Sequence, residues 1–274
     1  MNINNKTILL TGATGGIGKA IAIDLASKGA NITLVGRNLT ELESMVIELK
    51  SRYQNQFMSY LICDLSSSNG VTSLNEFAFE LAREGKPIDI LINCAGINQF
   101  QFFAQRNPSS IRQEMDINLM APMLICQSAI SWLNKPGIMM NIGSTFGAIG
   151  YPGYASYCAA KAGLQRFSEA LDRELDGSGI RVLYIAPRAT QTKINTKSVD
   201  ALNKSLGNQT DTPEIVAKAV INSIEKEIAI QWLGWPERLF VKINQLFPFI
   251  VSHVIHKQQD KIHNFINQNN HDSI

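Results

Sequence analysis

Tyr157 and Lys161 stand four residues apart in YCAAK, and Ser144, in NIGS, precedes Tyr157 by thirteen residues. Four residues is about one helical turn, so in a helical segment the phenol and the ammonium share a face. A free phenol has a pKa of about 10 and is a poor base near neutrality. A nearby ammonium favours the phenolate, and lowering the pKa by roughly 3 units needs about 4 kcal/mol, within reach of a close, partly desolvated charge. Such a phenol exchanges a proton with an oxygen of a bound molecule, and a serine hydroxyl beside it hydrogen-bonds that oxygen where charge develops. Tyr151 and Tyr154 have no lysine four residues on, and read as pocket wall or surface. A lone Tyr-x-x-x-Lys carries little weight, so its company matters.

That company is a set of small-residue turns, each following a short apolar run. TGATGGIG, from Thr11 to Gly18, follows the first such run and opens a helical pattern. Glycines there let the backbone turn tightly and approach a pyrophosphate, while the helix N-terminus offers free N–H groups and a positive dipole end. Thr11, Gly12, Thr14, Gly16, Ile17 and Gly18 are therefore candidate dinucleotide-binding residues. The second apolar run ends in LVGRN, with Gly36 and Arg37 where an acidic residue would hold a ribose 2′-hydroxyl. Arg37 pairs with a 2′-phosphate and Gly36 leaves room, which favours NADP(H) over NAD(H). Asp64 and Leu65 follow the third run, Asp64 reading as an adenine contact or a helix cap. Asn93, Ala95 and Gly96 end the fourth, where small residues permit close approach of a ligand.

The elements that must position these residues alternate. Strands are expected at Thr7–Leu10, Asn31–Val35, Met58–Cys63, Ile88–Asn93, Gly137–Ile142, Ile180–Ala186 and Ile228–Trp232. Helices are expected at Gly18–Lys28, Thr40–Arg52, Gly70–Arg83, Pro108–Trp132, Tyr154–Leu175 and Pro213–Lys226. Nearly all-apolar strands joined by helices imply right-handed crossovers and a parallel sheet covered on both faces. The fold class is α/β: a doubly wound parallel sheet of the Rossmann type, three layers α/β/α, in a single domain with a C-terminal helical extension. Residues 1–230 read as the catalytic domain and 231–274 as the extension.

At 274 residues with a net charge of +2, the chain suits one large domain and shows no single-sign field that would draw nucleic acid. The four cysteines, Cys63, Cys94, Cys126 and Cys158, sit in apolar segments without a C-x-x-C pair, and read as reduced core residues of a cytoplasmic protein rather than disulfides or metal ligands. No secretory signal or spanning segment is read at the N-terminus or elsewhere.

Taken together, TGATGGIG, NCAG, NIGS and YCAAK resemble the short-chain dehydrogenase/reductase superfamily over roughly residues 5 to 230. The resemblance implies a nicotinamide cofactor and a catalytic tetrad of Asn118, Ser144, Tyr157 and Lys161. In the reduction direction Tyr157 would protonate a carbonyl oxygen. Lys161 would tune Tyr157 and hold ribose hydroxyls, and Asn118, in MDINLMAP, would fix a water that reprotonates Lys161. Pro187 and Thr192 match the family's contacts after the sixth strand. Two departures stand out: Cys94 replaces the second Asn of N-N-A-G, and Arg188 replaces the usual glycine. Arg188 would recognise an anionic group on the substrate or point to solvent. Residues 189–210, polar and weakly periodic, would form a mobile lid.

From Trp235 onward the chain is amphipathic, with Leu239, Phe240, Ile243, Leu246 and Phe247 on one helical face. This face would cover the pocket, join subunits or lie on a membrane surface. The last eight residues are polar and expected to fray. The expected activity is carbonyl–alcohol interconversion on a hydrophobic or acyl-chain-like substrate, with a 3-oxoacyl-thioester reductase as the runner-up. A catalytically silent NADP-binding scaffold is the reading from another class. The expected partners are a small-molecule substrate and further copies of the chain, in a dimer or tetramer.

Overall fold

The computed structural model describes residues 1–271 of the chain. Seven parallel strands form one sheet, in the order β3-β2-β1-β4-β5-β6-β7. They are β1 (Thr7–Thr11), β2 (Asn31–Gly36), β3 (Met58–Ile62), β4 (Ile88–Asn93), β5 (Leu133–Ile142), β6 (Ile180–Ala186) and β7 (Ile230–Trp232). Side chains alternate across a strand, so each strand feeds two cores. Ile8 and Leu10 of β1 face one core, with Ile21 and Leu25 of α1 (Gly16–Ser27), Leu42 of α2 (Leu39–Arg52) and Val220 of α8 (Pro213–Lys226). Leu9 faces the other, with Leu74 of α3 (Ser68–Arg83), Ile125 of α5 (Ala121–Trp132) and Leu171 of α6 (Ala155–Glu174). These are the three expected layers.

Helix starts follow local chemistry. Asn38 caps α2, Ser67 caps α3, and Asn107 caps α4 (Pro108–Met115). In each case a side-chain oxygen accepts a backbone N–H that the helix leaves unpaired. Helix α1 begins at Gly15–Gly16 with no side-chain cap, so its first N–H groups lack that partner.

The expected single helix over 108–132 is interrupted. Residues Asp116–Met120 form a π-helical turn between α4 and α5. Helix α7 (Lys197–Leu206) lies within the weakly periodic stretch expected to form a lid; Thr196 caps it and Gly207, at φ +70°, ends it. The chain then continues as α9 (Glu237–Leu246), α10 (Pro248–Lys257) and α11 (Gln259–His271). Strand β7 spans the expected boundary at residue 230, so the extension leaves the sheet only after Trp232. The expected fraying of the last eight residues does not hold through His271. Ile266 and Asn269 of α11 are buried, and the Asn269 amide donates to Phe100 O at 2.9 Å. The remainder of that stretch lies outside the described residues. No helix among the described residues is long and apolar enough to cross a membrane.

Candidate active site

The glycine loop joins β1 to α1 at the carboxyl edge of the sheet, where β1 pairs with both β2 and β4. That edge, where the strand order changes direction, is where open α/β sheets form a crevice. Gly12 adopts φ +64°, and a Cβ there would lie 2.6 Å from Ala95 Cα. A Cβ on Gly18 would lie 2.2 Å from Gly12 O, and one on Gly16 would lie 2.8 Å from the Thr192 methyl. Glycine is therefore required at Gly12 and Gly18, where the obstacle is backbone, while at Gly16 it makes room for the Thr192 side chain.

A cavity of about 760 Å³ opens over this edge. Its lining includes Gly12, Thr14, Gly16, Ile17 and Gly18 from the loop, and Arg37 from the end of β2. Asp64 and Leu65 from the end of β3 and Ala95 and Gly96 from the end of β4 also line it, as do Pro187 and Thr192 beyond β6. Hydrogen bonds from the Ser66 N–H and hydroxyl lower the Asp64 carboxyl's pKa against a smaller opposing effect of burial, and the charge of exposed Arg37 lowers it further. The cap of α3 is Ser67, which leaves Asp64 free of that duty.

Ser144, Tyr157 and Lys161 line the same cavity. Ser144 follows β5, and its hydroxyl stands close enough to the Tyr157 phenol to favour the phenolate. Lys161, one turn along α6, places Nζ 5.8 Å from the centre of the Tyr157 ring and donates to Ile142 O at 3.0 Å. Burial pushes Tyr157 up to about 12, the Ser144 hydroxyl opposing it, and pushes Lys161 down to about 8. At Tyr157 burial outweighs the lysine's charge. Desolvation penalises both charged forms, and the lysine lies toward the ring face rather than at the phenol oxygen. Phe146 meets the phenol ring edge-on and Tyr154 meets it tilted, while Tyr151 stacks on Phe146; all three lie in the cavity wall.

Three predicted residues stand behind the lining. Thr11 Oγ1 accepts the N–H groups of Cys94 and Ala95 at 3.0 and 3.2 Å and so fixes the end of β4. Asn93 is buried and donates to Asn141 Oδ1 at 2.9 Å. Asn118, in the π-turn, donates to Ile97 O at 2.7 Å and accepts from Ile97 N at 3.2 Å. It lies under Gly96, where a Cβ would meet Asn118 Oδ1 at 2.8 Å and Lys161 Nζ at 3.7 Å. Thr11 and Asn118 act through the backbone of residues 94–97, while Asn93 ties β4 to β5.

Arg188 corrects both expectations made for it. Its guanidinium neither reaches into solvent nor stands free for a substrate anion. It pairs with Asp211 at 2.7 Å and Glu237 at 3.3 Å, because both carboxylates converge where β6 ends. Sequence reasoning missed the apolar side chains of the lid: Ile194, Val199 and Leu202, in and before α7, line the cavity. Phe240 of α9 and Val251, Val254 and Ile255 of α10, from the amphipathic tail, line it with them. The signal for α7 lies in Thr196, a cap residue, followed by Val199, Leu202 and Leu206 at helical spacing and then Gly207.

Comparison with known proteins agrees with this geometry. The family described as short chain dehydrogenase matches residues 6–203. A 3-oxoacyl-[acyl-carrier-protein] reductase of Rickettsia bellii is 31% identical over 227 residues, covering 80% of this chain and 89% of that protein. Among solved structures, a short chain dehydrogenase of Burkholderia cenocepacia in complex with NADP has a TM-score of 0.78 at 22% identity, covering 87% of this chain and 100% of the other. A short-chain dehydrogenase of Sphingobium yanoikuyae in complex with NADPH has a TM-score of 0.75 at 24% identity, covering 90% of this chain and 95% of the other. With the loop, the strand ends and the Ser–Tyr–Lys trio gathered in one cavity and the family matched over most of its length, the chain belongs to the short chain dehydrogenase family and is an oxidoreductase of the CH–OH group.

Proposed function

We propose that this enzyme uses NADP(H) to interconvert a ketone or aldehyde with its alcohol, on a hydrophobic, acyl-chain-like substrate. The observation that carries this reading is the shared cavity, lined at once by the glycine loop, by Arg37, by Ser144, Tyr157 and Lys161, and by apolar side chains of α7, α9 and α10. The residues fit a dinucleotide: the loop is a cradle that a Cβ at Gly12 or Gly18 would fill, and α1 starts uncapped. Gly12, Thr14, Gly16, Ile17 and Gly18 hold the pyrophosphate, and Arg37 pairs with a 2′-phosphate. Asp64 and Leu65 border the adenine, while Ala95, Gly96, Pro187 and Thr192 border the nicotinamide half.

When bound, the cofactor supplies the hydride and, once oxidised, a positive ring near the phenol. Tyr157 gives its proton to the carbonyl oxygen in reduction and takes it back in oxidation. Ser144 hydrogen-bonds that oxygen and orients the phenol. Lys161 contributes positive charge beneath the ring and reaches the ribose hydroxyls. Asn118 supports Ile97, and its Oδ1 keeps a second lone pair for a water leading to Lys161.

A second reading, a 3-oxoacyl-thioester reductase, is favoured by relatives of that name at 31% and 33% identity over 227 residues. The test is NADPH oxidation followed with simple ketones, aldehydes and 3-oxoacyl thioesters. Turnover of the thioesters alone would select the second reading, and no turnover of any carbonyl would remove both.

Two further assignments belong to this reading. The extension covers the pocket, and its outer face, where Leu246, Phe247 and Phe249 and the basic Arg238, Lys242 and Lys257 are exposed, makes peripheral contact with membranes from the cytoplasm. Exposed Met120 and Leu124, at the start of α5, support assembly into a dimer or tetramer.

A further inference from the structure

Arg188 follows β6 and Pro187 and reaches two segments distant in sequence. Nη2 donates to Asp211 Oδ1 at 2.7 Å, while Nη1 donates to Gln209 Oε1 at 3.2 Å and Glu237 Oε2 at 3.3 Å. Asp211 ends the lid, where it bridges Thr190, and Glu237 is the first residue of α9. The Arg188 and Asp211 side chains are 12% and 6% exposed, so their hydrogen bonds are stronger than those of a solvated pair. Gly234, at φ +88°, leaves the space they need: a Cβ there would lie 2.5 Å from Glu237 Oε2 and 2.7 Å from Arg188 Cδ. Arg188, Gln209 and Glu237 border the cavity that Leu202 of α7 and Val251 of α10 also line. Helix α9 itself buries little beyond Val241, and its other polar anchor is the Asn244 amide donating to Ala148 O at 2.8 Å.

We propose that Arg188 is a positioning residue that pairs simultaneously with Asp211 and Glu237, latching the lid and the C-terminal extension into one apolar wall that selects long-chain substrates. The inference rests on the carbonyl-reductase reading for its substrate. A long apolar chain depends on the wall that α7, α9 and α10 make together. A small carbonyl compound needs only the surroundings of Tyr157 and Ser144. Removing Glu237's charge loosens one side of the latch. Removing Arg188 does more, because it also leaves two carboxylates facing each other.

The test compares Glu237→Gln, Arg188→Lys and Arg188→Met with the native enzyme on short- and long-chain 2-ketones or 3-oxoacyl thioesters. The ratio of long-chain to short-chain KM should rise about threefold in Glu237→Gln and about tenfold in Arg188→Met, with kcat within about twofold. Arg188→Lys keeps the charge but not the fork, and should fall between the native enzyme and Arg188→Met. Hydrogen exchange needs no turnover: α9 and α10 amides should exchange faster in Glu237→Gln and Arg188→Met, while those of β1, β4 and β5 stay unchanged. An unchanged ratio, an equal rise in both KM values, or exchange identical to native overturns the latch. If the native enzyme turns over no carbonyl at all, the reading of its activity fails instead, and the exchange data still decide whether the latch exists.

Discussion

Tyr157 and Lys161 are displaced in opposite directions by the same cause. Burial raises the phenol to about 12 and lowers the ammonium to about 8, so the acid needed for reduction stays protonated while the lysine charge is lost on the alkaline side. A lysine is charged below its pKa, and raising the pH through about 8 removes the positive charge beside the phenol. We therefore predict that kcat/KM for reduction holds a plateau near neutrality and falls above pH ~8, and that Lys161→Arg moves this fall out of the accessible range. A profile that stays level to about pH 10 in the native enzyme would count against the lysine's role. Arg37 governs a separate property. Replacing it by Asp should weaken NADPH binding about ten- to a hundredfold by loss of a charge-assisted bond, while NADH binding improves or holds. Equilibrium fluorescence titration of the two cofactors measures this directly, and an unchanged NADPH affinity would remove the 2′-phosphate assignment. Arg188 shows where residue-level reading stops. Its partners lie 23 and 49 residues away, so no local pattern announces them.

The elements differ in how plainly the sequence announces them. Helices with apolar residues at helical spacing, such as α2 with Leu42, Met45, Val46 and Leu49 buried, are visible because the pattern is the cause of their burial. Helix α7 is hidden by its polar majority, since one thin stripe, Val199 and Leu202 with partly buried Leu206, carries its apolar burial. The π-turn at Asp116–Met120 escapes as well, because one extra residue in a helical turn leaves no mark on a short apolar pattern. That turn carries Asn118 to the backbone of Ile97. The glycine loop permits a graded prediction. Gly12→Ala should cost about 1–2 kcal/mol for its left-handed backbone, with the close contact to Ala95 in addition, and should abolish NADPH binding. Gly16→Ala meets only the Thr192 side chain and should cost less. Thermal melts with and without NADPH rank the two, and the reverse order would contradict the cradle. In the extension, Phe247→Ser with Phe249→Ser should reduce sedimentation with anionic liposomes without changing the melting temperature, since both side chains are exposed. Unaltered sedimentation would place the membrane contact elsewhere or nowhere.

Across the whole molecule, a single-edge logic ties the parts together. Parallel strands align their carboxyl ends, and β1, β2, β3, β4, β5 and β6 each deliver a lining segment to one cavity. This arrangement is legible in sequence because six apolar runs each end in a small, polar or charged turn. The apolar end of the cavity is less legible, because α7, α9 and α10 meet only in three dimensions. The central claim is that a partly buried phenol passes a proton to a carbonyl oxygen beside a bound NADP(H). NADPH oxidation by Tyr157→Phe, measured together with its NADPH affinity, tests it most directly. The account predicts turnover lower by about a thousandfold with affinity within about threefold of native. Turnover at the native level, with cofactor still bound, would contradict it.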